Sequence, residues 1–217
     1  MQGAWTGEPQ LSALESLVRD AATPGVSLGG TEVRSLLALL DELARWNRTY
    51  NLTAITSRED MVTRHLLDSL AIHPDLAGMR IADAGTGAGF PGLPLAVCNP
   101  QRHFTLIDSV EKKIRFVSHA VHTLGLANVT PLKARAEHLR PDTPFETVVA
   151  RAFAPLPKLL ATVAPLLGAG GRVLAMKGRR PEEELRALPA SWRLAGAREL
   201  TIPHLKAARC VLVLVRA

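Results

Sequence analysis

The stretch Arg80-Ile-Ala-Asp83-Ala-Gly85-Thr-Gly87-Ala-Gly89-Phe90-Pro91-Gly92 decides how this chain folds. It opens as a short buried strand, with Ile81 and Ala82 apolar and no charge before Asp83. Glycine then stands at 85, 87, 89 and 92. Pro91 suits the first turn of a helix, where its missing N–H would be unpaired anyway. Strand, glycine loop and helix start together form the unit with which an open α/β sheet holds a nucleotide. Glycine lets the backbone turn tightly and lets a ligand approach without meeting a Cβ.

The glycine spacing separates two ligand classes. A dinucleotide turn reads G-x-G-x-x-G, with pyrophosphate on the helix N-terminus. From Gly85 the loop reads G-x-G-x-G and puts Phe90 where the third glycine would stand. From Gly87 it fits, but Phe90 and Pro91 then lie inside the turn that should cradle phosphate, and proline offers no amide donor. An acid at a strand end followed by G-x-G-x-G resembles motif I of the class I S-adenosylmethionine-dependent methyltransferases. That resemblance implies a loop facing the methionine part of a ligand without phosphate. A nicotinamide-dependent reductase using Gly87, Gly89 and Gly92 is the competing reading, and a non-catalytic RNA-binding protein of the same fold is a third.

At 217 residues, 47% of them apolar, the chain is long enough to bury one good core. No apolar run approaches a membrane span, and Val211 to Val215 is strand-sized. Met1 to Gln10 lacks a basic start and an apolar signal core, so a cytoplasmic protein is expected. Cys98 and Cys210 stand far apart without partners at metal spacing, so neither a disulfide nor a metal site is expected. The net charge of +6 raises the odds of a polyanionic partner but does not identify one.

The first 75 residues read as helical. Leu11 to Ala22 has apolar residues at helical spacing and ends at Thr23-Pro24-Gly25. A second helix, capped by Thr31, carries Val33, Leu36, Leu37, Leu40 and Leu43 on one face and runs to about Trp46. Trp46 to Ile55 reads as a structured loop, and a third helix starts at a Ser57–Asp60 cap and ends before Pro74. From Met79 onward strands and helices alternate, which argues for a mainly parallel sheet covered on both faces. Strands are expected at 80–84, 103–108, 129–133, 146–150 and 172–176, with helices at 112–124, 156–167 and 182–188. Gly168, Gly170 and Gly171 are read as the stop of the 156–167 helix. Arg198 to Ile202 and Cys210 to Arg216 are read as a closing antiparallel pair with a short link. The expected division is an N-terminal helical extension, 1–75, packed on a Rossmann-like domain, 76–217, with a seven-stranded mostly parallel sheet.

Ligands in such sheets sit outside the carboxyl ends of the strands. Those ends carry Asp83 with the glycine loop, Asp108, Ala134 to Glu137, Arg151-Ala-Phe-Ala-Pro155, and Lys177-Gly178. Asp108, about twenty residues beyond the loop, suits the two hydroxyls of a ribose, although it is also a candidate N-cap of the next helix. Glu137 and the amides near it suit an adenine edge, or else face solvent. Arg151 and Lys177 are lone cations that end apolar strands at the ligand edge, or else ordinary surface cations. Phe90 or Phe153 is expected to stack a base or wall the pocket, and His65 with Asp68 to shape its rim or to pair on a helix surface.

The segments Trp46-Asn47 through Tyr50-Asn-Leu-Thr53, Arg64-His-Leu-Leu-Asp-Ser69, Asp83 to Gly92, Phe104 to Asp108 with Lys112-Lys113 and Arg115-Phe116, Arg135-Ala-Glu137, Arg151-Ala-Phe-Ala154 and Met176-Lys-Gly178 resemble the bacterial glucose-inhibited division protein B family. The resemblance runs from about residue 30 to the C-terminus. It implies methylation of guanine N7 in 16S ribosomal RNA of the small subunit, with S-adenosyl-L-methionine as donor. It implies cofactor contacts at Gly85, Phe90, Ala136, Glu137 and Arg151, and the wider class I pattern adds Gly87, Gly89 and Asp108. Ala134 departs from the family, where a polar residue or glycine is common. A monomer acting on ribosomal RNA or the small subunit, with no membrane and no metal, is the expectation. Guanine N7 bears no proton, so no general base is needed, and Arg151 and Lys177 are then expected to hold RNA phosphate or the guanine O6 edge. Enzymes that methylate exocyclic amines typically carry an acid or amide with two prolines and an aromatic after the fourth strand; here that place reads Arg151-Ala-Phe-Ala-Pro155, with no such acid or amide.

Overall fold

The computed structural model describes residues 28–217 together with Glu15, Ser16 and Val18. The expected first helix, 11–22, and its stop at 23–25 lie outside the described residues except for those three, which are helical. The first full helix, α1, spans Gly30–Tyr50 and buries Val33, Leu36, Leu37, Leu40 and Leu43, the face that the 3.6-residue spacing predicts. It runs a turn past Trp46, the expected end, and Asn51 closes it at φ +47 with its N–H on Asn47 O. The polar residues after Trp46 are cap chemistry. Asn47 Oδ1 accepts the amides of Leu52 at 2.6 Å and Thr53 at 2.8 Å, which ties the loop after the helix back onto its last turn.

The third predicted helix is really three pieces. Arg58–Met61 (α2) starts at the expected cap, Ser57 Oγ accepting from Asp60 N. Val62–Leu67 is a wider π-helical turn, and Asp68–Leu70 (α3) resumes the α-helix.

The remaining elements run β1 (Arg80–Ala84), α4 (Gly92–Val97), β2 (His103–Asp108), α5 (Glu111–Leu124), β3 (Val129–Lys133), β4 (Phe145–Arg151), α6 (Leu156–Val163), β5 (Leu167–Lys177), α7 (Glu182–Arg186), β6 (Trp192–Glu199) and β7 (Cys210–Arg216). They build one seven-stranded sheet in the order β3-β2-β1-β4-β5-β7-β6. β7 lies antiparallel to both β5 and β6, and the other pairs are parallel. Strand order reverses between β1 and β4, so the crevice at their carboxyl ends is where such a sheet takes a ligand.

Two expected boundaries are corrected. Gly168, Gly170 and Gly171 do not stop a helix; α6 ends at Val163 and these glycines belong to β5. A Cβ on Gly171 would lie 2.9 Å from Leu167 Cδ2, so close packing demands glycine there. The penultimate strand is Trp192–Glu199, not 198–202, and ten residues rather than a short link join it to β7. Its exposure alternates at every residue, but the inward positions are Trp192, Leu194, Gly196 and Arg198, so no apolar period of two shows in the sequence.

Each inner strand is buried on both faces. On one, Ile81, Phe104, Leu106, Val149 and Leu174 share a continuous apolar cluster with α1, residues 61–76, α4 and α5. On the other, Ala82, Ile107, Val148, Val173 and Leu212 pack against Leu156, Leu159, Leu160 and Val163 of α6.

Candidate active site

β1 delivers Asp83 to the carboxyl edge of the sheet. Its Oδ2 accepts from Thr86 Oγ1 at 2.7 Å and from Gly92 N at 2.8 Å, so one carboxylate ties the start of the glycine loop to its end. Its Oδ1 is buried without a partner. Burial pushes this carboxyl up to about 6, against the opposing pull of the Thr86 and Gly92 hydrogen bonds. The loop's first amides, of Gly85 and Thr86, both reach Ile107 O on β2. Gly85 and Gly89 hold φ of +70° and +87°, a conformation side-chain-bearing residues rarely adopt, and a Cβ on Gly85 would lie 2.5 Å from Phe153 Cδ2.

Beside this loop opens a cleft of about 400 Å³. Gly85, Asp108, Ala136, Glu137, Lys113 and Phe153 line it. Asp108 is not the cap of α5, since Val110 occupies that place. Its Oδ2 instead accepts Gly87 N at 3.0 Å and lies 3.5 Å from Lys113 Nζ, and its Oδ1 accepts Val110 N at 2.9 Å. A carboxylate has about four lone-pair sites; Gly87, Lys113 and Val110 take three, so Oδ1 keeps one for a ribose hydroxyl. Ala136 and Glu137 begin a short 3₁₀ turn after β3, with the Glu137 carboxylate exposed. The expected positions do not all meet. Gly87 and Gly89 shape the loop without lining the cleft, Phe90 is buried beneath His65, and Arg151 faces a second pocket.

That pocket, about 360 Å³, adjoins the first through Ala152, which lines both. Ala152 holds φ +49°, backbone strain of the kind stored at functional sites at about 1–3 kcal/mol. Arg64, His65, Asp68, Arg151, Lys177 and Arg209 line it. Arg151 and Lys177, expected as cations facing RNA, are both engaged by acids. Arg151 donates to Asp68 Oδ2 at 3.0 Å and to Arg64 O at 3.1 Å. Lys177 Nζ reaches Glu184 Oε2 at 2.8 Å and Ala154 O at 3.0 Å. Arg209 donates to the other oxygen of Asp68 at 3.0 Å. Arg209 precedes β7 at its amino end, where the rule that ligands meet carboxyl ends gives no signal. In an antiparallel strand the amino end lies at the same edge, and Cys210 pairs with Lys177.

His65 does more than shape a rim. Its ring stacks on Phe90 at 4.6 Å, and Arg151 Cζ lies 5.8 Å from the centre of that same Phe90 ring. Burial, reinforced by the nearby Arg151 charge, pushes the His65 imidazole down to about 3, so it is neutral.

Residues 32–213 match the family model described as rRNA small subunit methyltransferase G, GidB. The chain belongs to this family. It is 41% identical over 207 residues to the ribosomal RNA small subunit methyltransferase G of Erwinia tasmaniensis, covering 95% of this chain and 98% of that one. With its namesake from Methylococcus capsulatus it shares 48% over 193 residues, 89% and 94% of the two chains. This member of the GidB family is therefore a methyltransferase. Among solved structures, a SAM-dependent methyltransferase from Aquifex aeolicus superposes with TM-score 0.55 at 21% identity, over 72% of this chain and 93% of that one. One from Thiobacillus denitrificans, in complex with S-adenosyl-L-homocysteine, gives 0.52 at 13%, over 81% and 98%. Those two likenesses show the class I, Rossmann-like fold. The dinucleotide reading of the loop fails on local grounds as well. Gly87 N is given to Asp108, Gly92 N to Asp83, and Pro91 has no N–H, so the amides a pyrophosphate would need are spent.

Proposed function

We propose that this GidB-family enzyme methylates N7 of a guanine in 16S ribosomal RNA of the small subunit, acting as a cytoplasmic monomer with S-adenosyl-L-methionine as donor. When bound, the donor supplies an electrophilic methyl on a cationic sulfur. Gly85, Asp108, Ala136 and Glu137 would hold it in the larger cleft. Asp108 suits the ribose hydroxyls, and the Ala136–Glu137 turn suits the adenine edge. Gly87 and Gly89 give the loop its course, while Phe90 and Arg151 form the partition toward the smaller pocket, which would take the base.

Guanine N7 has an in-plane lone pair that bears no proton. The protein then has only to align acceptor with methyl and exclude water. The observation that carries this reading is the chemistry of the smaller pocket, where no lining residue is fitted to take a proton. Asp68 is engaged on both oxygens by Arg151 and Arg209. His65, near 3, is too weakly basic to serve at neutral pH. An exocyclic amine would need such a group in that place.

The test is methyl transfer from labelled donor to small ribosomal subunits from cells lacking this enzyme, followed by nucleoside analysis. Label in 7-methylguanosine is the expected result; label in an N2-methylated guanosine or an N6-methylated adenosine would overturn it.

A further inference from the structure

α1 and α5 lie side by side and run in opposite directions. Three contacts set the pairing. Lys112 Nζ donates to Tyr50 O at 2.7 Å, Trp46 packs on Phe116 with ring centres 5.7 Å apart, and His119 Nε2 lies 2.7 Å from Glu42 Oε2. Aromatic contact closes the seam, and its solvent side carries cations. Arg45 and Arg48 stand one turn apart on α1, Lys112 and Arg115 one turn apart on α5, and all four are exposed.

The acids of this face do not balance them. From residue 41 onward α1 holds only Asp41 and Glu42, and α5 holds only Glu111. Glu42 is buried between Arg45 and His119, Asp41 pairs with Arg58 at 2.8 Å, and Glu111 pairs with Lys133 at 2.5 Å. Each acid thus faces a cation of its own. Arg48, Lys112 and Arg115 are left without a carboxylate partner among the described residues. Like charges crowded on one face repel, so the fold itself gains little from this cluster, whereas an anionic partner would draw on it.

The face is continuous with both pockets. α5 follows β2, so its Lys112 end stands at the carboxyl edge of the sheet, and Lys113 lines the donor cleft. Residues 51–55 leave α1 just beyond Arg48 and reach the smaller pocket. There Thr53 Oγ1 lies 3.0 Å from His65 Nε2, and Ile55 is a lining residue.

We propose that the outer face of the α1–α5 pair is an RNA-docking surface, with Arg48, Lys112 and Arg115 meeting phosphates of the substrate strand on one side of the target nucleotide. The inference rests on ribosomal RNA as the substrate and not on the choice of N7. Phosphate contacts position a nucleic acid without reading its sequence, so this face supplies affinity and register and leaves base choice to the pocket.

Arg48→Gln/Arg115→Gln removes two charges and touches neither pocket. This double variant is expected to melt close to the wild type and to bind S-adenosyl-L-methionine with unchanged affinity. The slope of log RNA affinity against log salt should become shallower by about 1.4–1.8, at about 0.7–0.9 for each phosphate contact. KM for small subunits should rise about tenfold with kcat unchanged, the scale of two exposed ion pairs. Arg193→Gln/Arg216→Gln takes the same charge from the β6–β7 hairpin, at the opposite edge of the sheet from β3, and should leave slope and KM in place. An unchanged slope and KM in the first pair, or an equal change in the second, would overturn the proposal. Should the first pair not fold, acetylation of Lys112 in the wild type decides: bound small subunits are expected to protect it, and undiminished labelling overturns the proposal. A wild-type enzyme that neither binds nor methylates ribosomal RNA removes the substrate reading, whereas one that does both beside a silent Arg48/Arg115 exchange removes only this inference.

Discussion

The carboxylate of Asp108, at the end of β2, accepts the amide of Gly87 at 3.0 Å, so the neighbouring strand fixes the course of the glycine loop that leaves β1. One side chain therefore serves as both loop support and the proposed ribose acceptor. Asp108→Ala should weaken S-adenosyl-L-methionine binding by at least tenfold, the scale of a charged hydrogen bond worth about 1.5–3 kcal/mol. Methyl transfer should fall with it, while affinity for ribosomal RNA stays unchanged. Titration calorimetry with the donor, beside an RNA-binding assay, measures both.

Gly85 and Gly196 offer a contrast within one protein. Gly85→Ala must adopt φ +70° and bring its Cβ within 2.5 Å of Phe153. It should lose about 1–3 kcal/mol of stability together with donor affinity. Gly196 in β6 has ordinary φ and meets nothing closer than Val213 at 3.9 Å, so Gly196→Ala should stay within about 0.5–1 kcal/mol of wild type. Urea unfolding of the two variants checks the difference.

Asp68 is almost wholly buried and bonded by Arg151 and Arg209, one to each oxygen. Asp68→Ala leaves two partly buried guanidiniums facing each other. The expected loss is about 3–5 kcal/mol, as when one member of a buried ionic group is removed. Asp68→Asn, which keeps one acceptor, should lose less. Thermal melts of both give the order.

Two buried groups make opposite contributions to acid stability. His65 titrates near 3 when folded, below an ordinary histidine, so the unfolded chain binds the extra proton and this contribution is lost as pH falls from about 6.5 toward 3. Asp83 titrates near 6 when folded, above an ordinary carboxylate, so its contribution is present at low pH and is lost as pH rises through about 6. Between about pH 4 and pH 6 the two oppose each other. Relative to wild type, His65→Phe should therefore gain stability on acidification across that window, and Asp83→Asn should lose it. Unfolding curves at several pH values give the slopes, and parallel slopes for all three proteins would contradict the assignment.

Salt should weaken RNA binding through cations that are free to meet phosphate. Lys177 is engaged with Glu184 and only partly exposed, so Lys177→Gln should leave the slope of log affinity against log salt nearly unchanged. Arg135, 66% exposed at the rim of the donor cleft and paired only at 3.6 Å with the exposed Glu137, is the better candidate, and Arg135→Gln should make the slope shallower by up to about one. Filter binding at graded ionic strength separates them.

Periodicity and turn chemistry act over a few residues, so the chain alone declared β1, its glycine loop, the buried face of α1, and the run of alternating strands and helices. It also placed Gly85, Asp108, Ala136 and Glu137 at strand ends, because a parallel sheet brings its carboxyl ends to one edge whatever the details. What depended on pairing in space was out of reach. Whether Arg151 and Lys177 were free or bound turned on Asp68 and Glu184, far away in sequence for the first and across a turn for the second. Arg209 joined the site only because β7 runs antiparallel, which carries its amino end to the same edge. The π turn that sets His65 over Phe90 has no spacing of its own, since one widened turn inside a helical run leaves no period in the sequence. Local rules wrote the scaffold, and the charges of the smaller pocket found their partners only when distant segments met, because a partner in space cannot be read from a neighbour in sequence.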